Sequence, residues 1–375
     1  VNERALALHK KLGGKIEVRG KMAVRTKDDL SLVYTPGVAA VSMHLAKHPK
    51  ETRVYTVKKN TIAIISDGSA VLGLGNIGPY GAIPVMEGKA MLFKQFAGID
   101  AFPIVLATQN TDEIVETVKR IAPIFGGVNL EDISAPRCFE IEERLKRELS
   151  IPVMHDDQHG TAIVVLAGLI NAFKVVGKNL KKGKIAIVGS GAAGVAIAKL
   201  LKLYGLSDIL SLDREGIVYR GRKGNSPVKE ELGRITNPKR ILGGVREALA
   251  GADAVIGVSG PNKLRAEDIK MMAKKPIVFA LANPTPEIMP EEAKKGGAFV
   301  IATGRSDYPN QINNSLVFPG IFRGALDRGV SKITDAMKLK AAKNLAALIK
   351  KPRKNFIIPD MFDKRAVKAV ARAVR

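Results

Sequence analysis

From Thr61 onward, short apolar runs of strand length alternate with longer segments of helical period. TIAIIS (61–66) and FPIVL (102–106) are rich in β-branched or bulky apolar residues and predict buried strands. TDEIVETVKRIA (111–122) predicts a helix, because Thr111 and Asp112 suit a helix start. The remaining predicted elements of this block are a strand at 126–130, a helix over 136–149, a strand at 151–154 and a buried helix over about 161–176. This alternation predicts an α/β layer with a largely parallel sheet.

A second alternation begins at Lys184. Its predicted elements are a helix over 192–204 and strands at 184–188, 208–212, 253–258, 276–281 and 298–303. Before the first block, residues 1–60 predict mixed, partly helical structure with a turn at 34–37, and residues 333–375 predict basic amphipathic helices packing back on the body. We therefore expect an amino-terminal α/β domain (1–155), followed by a Rossmann-type doubly wound dinucleotide-binding domain with carboxy-terminal helices (156–375).

Composition narrows the class of protein. The longest apolar stretch, 161–173, is shorter than a bilayer span, and no charged-then-apolar leader opens the sequence. The single cysteine, Cys138, excludes an internal disulfide. A cytoplasmic enzyme without membrane contact is the expectation.

The net charge is the unusual feature of the composition. There are 60 Lys and Arg against 36 Asp and Glu, a formal charge of +24, which attracts anions such as nucleotides and small carboxylates. Aromatics make up only 5% of the chain, the lysines are scattered, and no nucleic-acid motif appears. Specific nucleic-acid binding is therefore not expected.

Two glycine patterns have the spacing of a dinucleotide fingerprint, and their contexts differ. GSGAAG (189–194) directly follows the strand KIAIV and opens a proline-free helix, which is the context that a pyrophosphate-binding turn requires. Its residues are Gly189, Ser190, Gly191, Ala192, Ala193 and Gly194. GLGNIG (73–78) precedes Pro79, Gly81 and Pro84, so we expect a rigid loop there instead of a helix. That loop either shapes a substrate pocket or is only a structural turn.

Asp213 ends the strand that follows the cofactor helix, where an acid commonly binds the ribose hydroxyl of NAD. Its charge would repel the 2′-phosphate of NADP, which favours NAD. Four basic residues just beyond Asp213 would instead favour NADP, because they can bind its 2′-phosphate. They are Arg214, Arg220, Arg222 and Lys223. NAD is slightly favoured, and NADP remains open.

Two pairs of carboxylates follow successive predicted strands. Glu131 and Asp132 come after GGVNL, and Asp156 and Asp157 come after IPVMH. The carboxyl ends of parallel strands share one sheet edge, so the pairs should meet, and four converging carboxylates need a cation or protons. Oxygen ligands suit Mg²⁺ or Mn²⁺, whereas the alternative for each pair alone is a helix cap. His155 and His159 are expected to be packing or supporting groups.

Lys89 lies in the apolar context of PVMEGKAMLF. Burial would lower its pKa towards that of a useful general base, whereas a surface lysine with a buried stem is the plainer interpretation.

Together these stretches resemble the malic enzymes, in their small prokaryotic form. The similarity runs through nearly the whole chain: YTPGVA (34–39), SDGSAVLGLGNIGPYGAIPVMEGKAMLFKQFAGID (66–100), NLEDISAPRCFEIE (129–142), VMHDDQHGTA (153–162), GSGAAG, ALANPTPE (280–287) and INNSLVFPG (312–320). The resemblance implies metal-dependent oxidative decarboxylation of (S)-malate to pyruvate and CO₂ with NAD(P)⁺.

The resemblance also implies a role for individual residues. Tyr34 would be the general acid, Lys89 the general base, and Asp156 a neighbour that influences Lys89. Glu131, Asp132 and Asp157 would bind Mg²⁺ or Mn²⁺. The cofactor would contact the GSGAAG turn, Asp213, Arg214, Ser259 and Asn283, and the substrate would contact Asn283 and Asn314.

One departure from the family pattern concerns the substrate carboxylate. Larger members place a Glu-Arg pair after the first DG, with the arginine holding that carboxylate, whereas this chain has Ser69 and Ala70. Ser69 or a backbone amide would then fill the role. The resemblance further implies a homodimer or larger assembly, with Tyr34 serving a neighbouring site if the amino-terminal segment is exchanged. The alternatives are a related hydroxy-acid dehydrogenase, an oxaloacetate decarboxylase or a non-catalytic nucleotide sensor.

Overall fold

Two parallel β-sheets form the framework of the computed structural model, which describes residues 2–375. The strands of the first sheet are β1 (Thr61–Ser66), β2 (Asp100–Val105), β3 (Gly127–Leu130) and β4 (Val153–His155). The strands of the second are β5 (Lys184–Val188), β6 (Asp208–Asp213), β7 (Gly216–Ile217), β8 (Ala254–Gly257), β9 (Ile277–Ala280) and β10 (Val300–Thr303). The sheet orders are β2-β1-β3-β4 and β10-β9-β8-β5-β6-β7, with only β7 antiparallel among the described strands. The predicted α/β architecture is confirmed.

Helices cover the sheets. In the amino-terminal half they are α1 (Asn2–Leu12), α2 (Lys27–Val33), α3 (Gly37–Lys47), α4 (Thr52–Tyr55), α5 (Gly78–Ala97), α6 (Thr111–Ile121) and α7 (Arg137–Glu148). The others are α8 (Asp156–Val176), α9 (Ala192–Tyr204), α10 (Pro227–Ile235), α11 (Val245–Leu249), α12 (Ala266–Lys270), α13 (Pro290–Lys295), α14 (Phe318–Arg328), α15 (Asp335–Ala346) and α16 (Arg365–Ala371). The sequence pattern did not predict α10 to α14.

The loop expected over residues 73–84 is wrong in its second half, because α5 begins at Gly78. Pro79 lies in the first turn, where a backbone N–H has no helical partner to lose. Pro84 lies further inside the helix, and the Lys15 ammonium donates to its carbonyl oxygen at 2.5 Å. The helix then carries Lys89 on its buried face.

Helix α8 begins at Asp156, about one turn before the predicted start, so Asp156 and Asp157 form its first turn. Negative side chains are favourable there because they face the positive end of the helix dipole. The helix is long and apolar enough to cross a membrane, but 72% of its apolar window is buried inside the protein, as in a core helix.

One hydrophobic core joins the two sheets through α8. Ile64 of β1, Leu166 of α8 and Ile187 of β5 belong to the same buried cluster, which extends to Leu345 and Val370 of the carboxy-terminal helices. The carboxy-terminal helices therefore pack back on the body as predicted. The domain boundary after residue 155 falls between β4 and α8, and it remains a prediction because α8 is shared.

The amino-terminal helices contrast with this core. Helices α1 to α4 contain no buried residue in the described chain, and large apolar side chains lie on their surface. Examples are Leu6, Leu32 and Val54, each exposed by about two thirds or more. Apolar area of this extent usually marks an interaction surface.

Candidate active site

The carboxyl ends of β1, β3 and β4 meet at one edge of the first sheet, and the loops that follow carry most of the predicted site. The parallel register pairs Leu130 with His155, which brings the next residues, Glu131 and Asp156, side by side. Glu131 and Asp156 are both almost fully buried. Buried carboxylates require partners, and the structure provides one shared partner.

Lys89 is that partner. Its ammonium lies 2.5 Å from the Glu131 carboxylate and 2.6 Å from Asp156 Oδ2. It also lies 4.4 Å from the centre of the Phe318 ring. Lys89 is 7% exposed, so the interpretation of a surface lysine is wrong.

The lowered pKa expected for Lys89 is also wrong for this structure. Burial disfavours its positive charge, but the carboxylates of Asp156, Glu131 and Asp157 outweigh burial and raise the pKa of Lys89. The pKa of Asp156 is raised to about 6, because burial outweighs the attraction of Lys89. Lysine and aspartate therefore share a short, charge-assisted hydrogen bond in a site from which water is mostly excluded.

Next to this pair lies an acidic triad composed of Glu131, Asp132 and Asp157. One carboxylate oxygen from each lies within 4.8 Å of the other two. Asp132 Oδ2 is buried without a hydrogen-bond partner, and burial together with the Asp157 charge raises the pKa of Asp132 to about 8. The Asp132 backbone N–H donates to Asp157 Oδ2 at 2.8 Å, which holds the two loops together. Crowded carboxylates with an unpartnered oxygen fit a divalent cation.

Glu142 of α7 supports this arrangement, and sequence reasoning did not single it out. Its carboxylate, 2% exposed, accepts from the His155 backbone N–H at 2.8 Å and lies 2.9 Å from His159 Nε2. Lys146 lies 3.1 Å away. His155 is fully buried and makes no described hydrogen bond through its ring. His155 is thus a packed residue and His159 contacts the supporting carboxylate of Glu142, in agreement with the expectation of packing or supporting groups. The sequence did contain one signal for Glu142, because this acid lies on the same buried face of α7 as Cys138, Ile141 and Leu145.

Across the cleft, the turn between β5 and α9 has the geometry of a dinucleotide fingerprint. Gly189 has φ +119°, and a Cβ there would lie 2.5 Å from the Val258 carbonyl oxygen. A Cβ at Gly194 would lie 1.8 Å from the Gly189 carbonyl oxygen, whereas one at Gly191 would meet nothing within 4 Å. Gly191 thus faces open space at the helix start, and the Ser190 hydroxyl is buried without a partner. A pyrophosphate fits both features.

Asp213 lies at the end of β6 and is held by two cations. Arg222 Nη1 donates to Asp213 Oδ1 at 2.9 Å, Arg222 Nη2 contacts Oδ2, and Lys229 Nζ lies 2.6 Å from Oδ2. Although burial opposes it, these partners lower the pKa of Asp213. Asp213, Arg214 and Arg222 line a surface cavity of about 670 Å³.

The acidic triad and the glycine turn face the same cavity, whose volume is about 840 Å³. The predicted site residues that line it are Lys89, Glu131, Asp132, Asp157, Gly191, Ala192, Ala193, Ser259, Asn283 and Asn314. The loop after β1 closes one side, because a Cβ at Gly73 would lie 1.9 Å from the Asn283 carbonyl oxygen. The acidic triad and the start of the glycine turn thus line one cleft.

Ser69 and Tyr34 are predicted to contact the substrate or transfer a proton, but neither lines this cleft in the described chain. Ser69 is not among the described residues that line the cleft; its hydroxyl donates to Asp67 Oδ1 at 2.6 Å and accepts from the Ser134 backbone N–H at 2.9 Å. The structure therefore does not support Ser69 as a substrate ligand, because its hydroxyl is occupied in bracing the loop. Tyr34 is 66% exposed at the end of α2, outside the described lining of this cleft.

The fold and the cleft define a dinucleotide-dependent oxidoreductase in which a buried lysine and an acidic triad face the cofactor turn. Residues 13–111 and 107–146 match the model of the malic enzyme N-terminal domain, and residues 158–375 match that of the malic enzyme NAD-binding domain. The chain belongs to the malic enzyme family, whose members oxidatively decarboxylate malate with NAD(P)⁺.

Individual relatives agree with this assignment. An NAD-dependent malic enzyme of Geobacillus stearothermophilus is 56% identical over the whole chain and 78% of that relative. A bifunctional malic/malolactic enzyme of Bacillus subtilis is 54% identical over the whole chain and 92% of that relative. The crystal structure of an NAD-dependent malic enzyme from Thermotoga maritima is 50% identical and superposes with a TM-score of 0.95, covering 99% of this chain and 98% of that one.

Proposed function

We propose that this chain catalyses the oxidative decarboxylation of (S)-malate to pyruvate and CO₂ in the Lys89 cleft, with NAD(P)⁺ and a divalent cation. The observation that carries the proposal is the buried Lys89 ammonium, which bridges Glu131 and Asp156 in the cavity that also contains the Gly191 turn. The reaction uses an intracellular cofactor, and a chain with one cysteine forms no internal disulfide, so we place the enzyme in the cytoplasm.

The divalent cation, Mg²⁺ or Mn²⁺, would be held by Glu131, Asp132 and Asp157. When bound there, it supplies Lewis-acid stabilisation of negative charge on the substrate oxygen. The support from the chain is the oxygen-only triad with the unpartnered Asp132 Oδ2. The triad lies next to Lys89, so the hydroxyl-bearing end of malate would lie between them.

Lys89 can receive the proton of the substrate hydroxyl only in its neutral form. A divalent cation held by the triad would favour that form, because its positive charge would offset the carboxylates that raise the pKa of Lys89. Asp156, hydrogen-bonded to the ammonium at 2.6 Å, is positioned to take the proton onward. A pKa of about 6 lets Asp156 exchange a proton near neutral pH. Asn283 and Asn314 line the same cavity and provide neutral amide groups to orient the substrate.

NAD(P)⁺ would be bound with its pyrophosphate at the start of α9, where Gly191 leaves open space and the Ser190 hydroxyl lacks a partner. When bound, the nicotinamide ring accepts the hydride from the substrate. Ala192, Ala193 and Ser259 line the same cavity as Lys89, and their small side chains would leave room for the nicotinamide ring.

The preferred cofactor is proposed to be NAD, because Asp213 lies at the end of β6, where an acid commonly binds the ribose hydroxyl of NAD. Replacing Asp213 with alanine should narrow the difference in kcat/KM between NAD⁺ and NADP⁺ by about tenfold or more, since charged hydrogen bonds contribute about 1.5–3 kcal/mol. The physical reason is that Arg222 and Lys229 lose their partner and become free to bind a 2′-phosphate. Steady-state kinetics with each cofactor measure the effect. Asp208→Ala, at the other end of β6, is the control, and a wider preference for NAD would contradict the assignment.

Tyr34 is proposed to complete the site of a second copy of the chain as its general acid. The support is twofold: Tyr34 is exposed in the single chain, and the apolar surface of α1 to α4 requires a partner. A homodimer that pairs these helices would cover that surface and carry Tyr34 across the interface.

Mixing two inactive variants tests the shared site. Tyr34→Phe and Lys89→Ala should each be inactive alone, but a mixed dimer would contain one site with both wild-type residues. Co-refolding equal amounts should therefore restore about a quarter of wild-type activity for a C₂ dimer. Size-exclusion chromatography verifies that mixed dimers form. Mixed dimers that remain inactive would place Tyr34 outside the neighbouring site.

The overall function is tested by one assay of the purified protein with malate, Mn²⁺ and each nicotinamide cofactor. Equal release of CO₂ and formation of reduced cofactor is the expected result. Reduced cofactor without CO₂ would indicate a hydroxy-acid dehydrogenase, and CO₂ from oxaloacetate without malate oxidation would indicate a decarboxylase. Cofactor binding without either product would indicate a nucleotide sensor.

A further inference from the structure

The cleft has an unusual balance of charge for a site that receives a dicarboxylate. Among the described residues, its charged lining consists of three acids of the triad and two lysines, Lys15 and Lys89, without an arginine. Lys89 is already paired with Glu131 and Asp156. Of the two lysines that line the cleft, Lys15 is therefore the one whose ammonium group can still bind an anion.

Lys15 has no carboxylate within ion-pair distance of its ammonium in the described chain. Its Nζ donates to the Pro84 carbonyl oxygen at 2.5 Å, a neutral partner. The nearest acid, Glu87, instead accepts from the Lys15 backbone N–H at 3.2 Å. A half-buried ammonium bound only to a carbonyl retains most of its capacity to bind a carboxylate.

The backbone brings this ammonium to the cleft through two glycines. Gly14 has φ +119°, and a Cβ there would lie 3.2 Å from Glu87 Oε1, so the chain can lie close to α5. A Cβ at Gly88 would lie 3.3 Å from Lys15 Nζ, which shows that the ammonium occupies the space beside the residue preceding Lys89. The Lys15 ammonium therefore lies against α5, and both lysines line the cleft.

We propose that Lys15 binds the substrate carboxylate that lies away from the acidic triad. This rests on the proposed function, since it assigns a partner to the second carboxylate of malate in the same cleft. Asn283 and Asn314 offer hydrogen bonds but no charge, so Lys15 supplies the positive charge that this chain lacks at Ser69 and Ala70. It selects dicarboxylates over monocarboxylates.

The kinetic consequence follows from the fate of that carboxylate. The carboxylate remote from the hydroxyl keeps its charge during hydride transfer and leaves only afterwards as CO₂, so Lys15 binds the substrate and the hydride-transfer transition state about equally. Such an interaction lowers KM for malate without raising kcat. Lys15 is thus a specificity residue, and it takes no part in proton transfer.

Lys15→Gln tests the proposal in the full-length protein. KM for malate should rise by about 10–100-fold, as expected for the loss of one charge-assisted hydrogen bond, with kcat changed by less than about threefold. KM for the nicotinamide cofactor should stay unchanged. Lys15→Arg should restore most of the affinity for malate, and Lys10→Gln, which removes an exposed lysine of α1, should behave as wild type.

Calorimetric binding separates substrate recognition from a structural role. Oxalate has no carboxylate remote from its chelating end, so its affinity for the Mn²⁺-loaded protein should be the same in wild type and Lys15→Gln, whereas malate should bind more weakly. An equal loss for both ligands, or an unchanged KM for malate, would overturn the role of Lys15. Wild-type protein that fails to oxidise malate would overturn the proposed function instead, so the two failures are distinguishable.

Discussion

Replacing Lys89 with alanine is expected to abolish malate oxidation, lowering kcat by about 10²–10⁴-fold, the usual contribution of a general base. No other described lysine lies between Glu131 and Asp156, so water would have to take the proton of the substrate hydroxyl. Spectrophotometric reduction of the cofactor measures the loss. The affinity for reduced cofactor, measured by fluorescence, should stay near the wild-type value because the Gly191 turn lies on the other sheet.

The control for this variant must separate chemistry from folding. Removing the ammonium leaves Glu131 and Asp156 buried without their shared partner, so the free energy of unfolding should also fall. Lys94→Ala removes a lysine from the same helix whose side chain is 66% exposed and paired with Asp100, and it should retain full activity. A Lys89→Ala protein that binds cofactor and turns over malate at the wild-type rate would end the assignment of Lys89 as base.

Asp157→Asn should reduce activity by orders of magnitude and weaken Mn²⁺ binding by at least about a hundredfold, since even supporting groups around a metal contribute about 10–100-fold. Asparagine keeps the shape of the side chain and still accepts from the Asp132 backbone N–H, but it removes one negative charge from the triad. Titration calorimetry with Mn²⁺ on the protein without substrate measures affinity independently of turnover.

A matched substitution outside the triad completes this test. Asp112→Asn changes an aspartate whose side chain is 78% exposed and paired with Arg144, so both activity and Mn²⁺ affinity should be unaffected. If Asp157→Asn shows the same dependence on Mn²⁺ as wild type, Asp157 does not bind the ion. The remaining acids, Glu131 and Asp132, would then need a different third ligand.

The two sheets and the glycine turn could be predicted from the sequence, because the local pattern of apolar and polar residues matches the place of each element in the fold. The strands β1 and β5 contain the apolar runs IAII and IAIV, as expected for strands buried on both faces, and acids follow β3 and β4 directly. Parallel strands end at one edge, so the convergence of Glu131 with Asp156 followed from chain order alone. The glycine turn was predictable because its helix is free of proline.

Other features depend on contacts between distant parts of the chain. The start of α5 was missed because its prolines disfavour a helix, although the first turn tolerates Pro79 and tertiary packing holds the rest. The raised pKa of Lys89 depends on three carboxylates, one after β3 and two in the first turn of α8, which no local pattern shows. Lys15 gave no sequence signal, since it reaches the cleft only by packing on α5. The exposure of Tyr34 is likewise a property of the folded chain.

Helix α8 has a consequence for how the molecule responds to stress. Its first turn carries Asp156 and Asp157, and its apolar length passes through the core that both sheets share. Loss of packing in the second sheet would expose one side of α8, the helix whose first turn positions these two acids. The geometry of the active site therefore depends on the packing of both sheets. We therefore expect loss of packing in the second sheet to disturb the position of Asp156 and Asp157, and thus the active site, as well as the core.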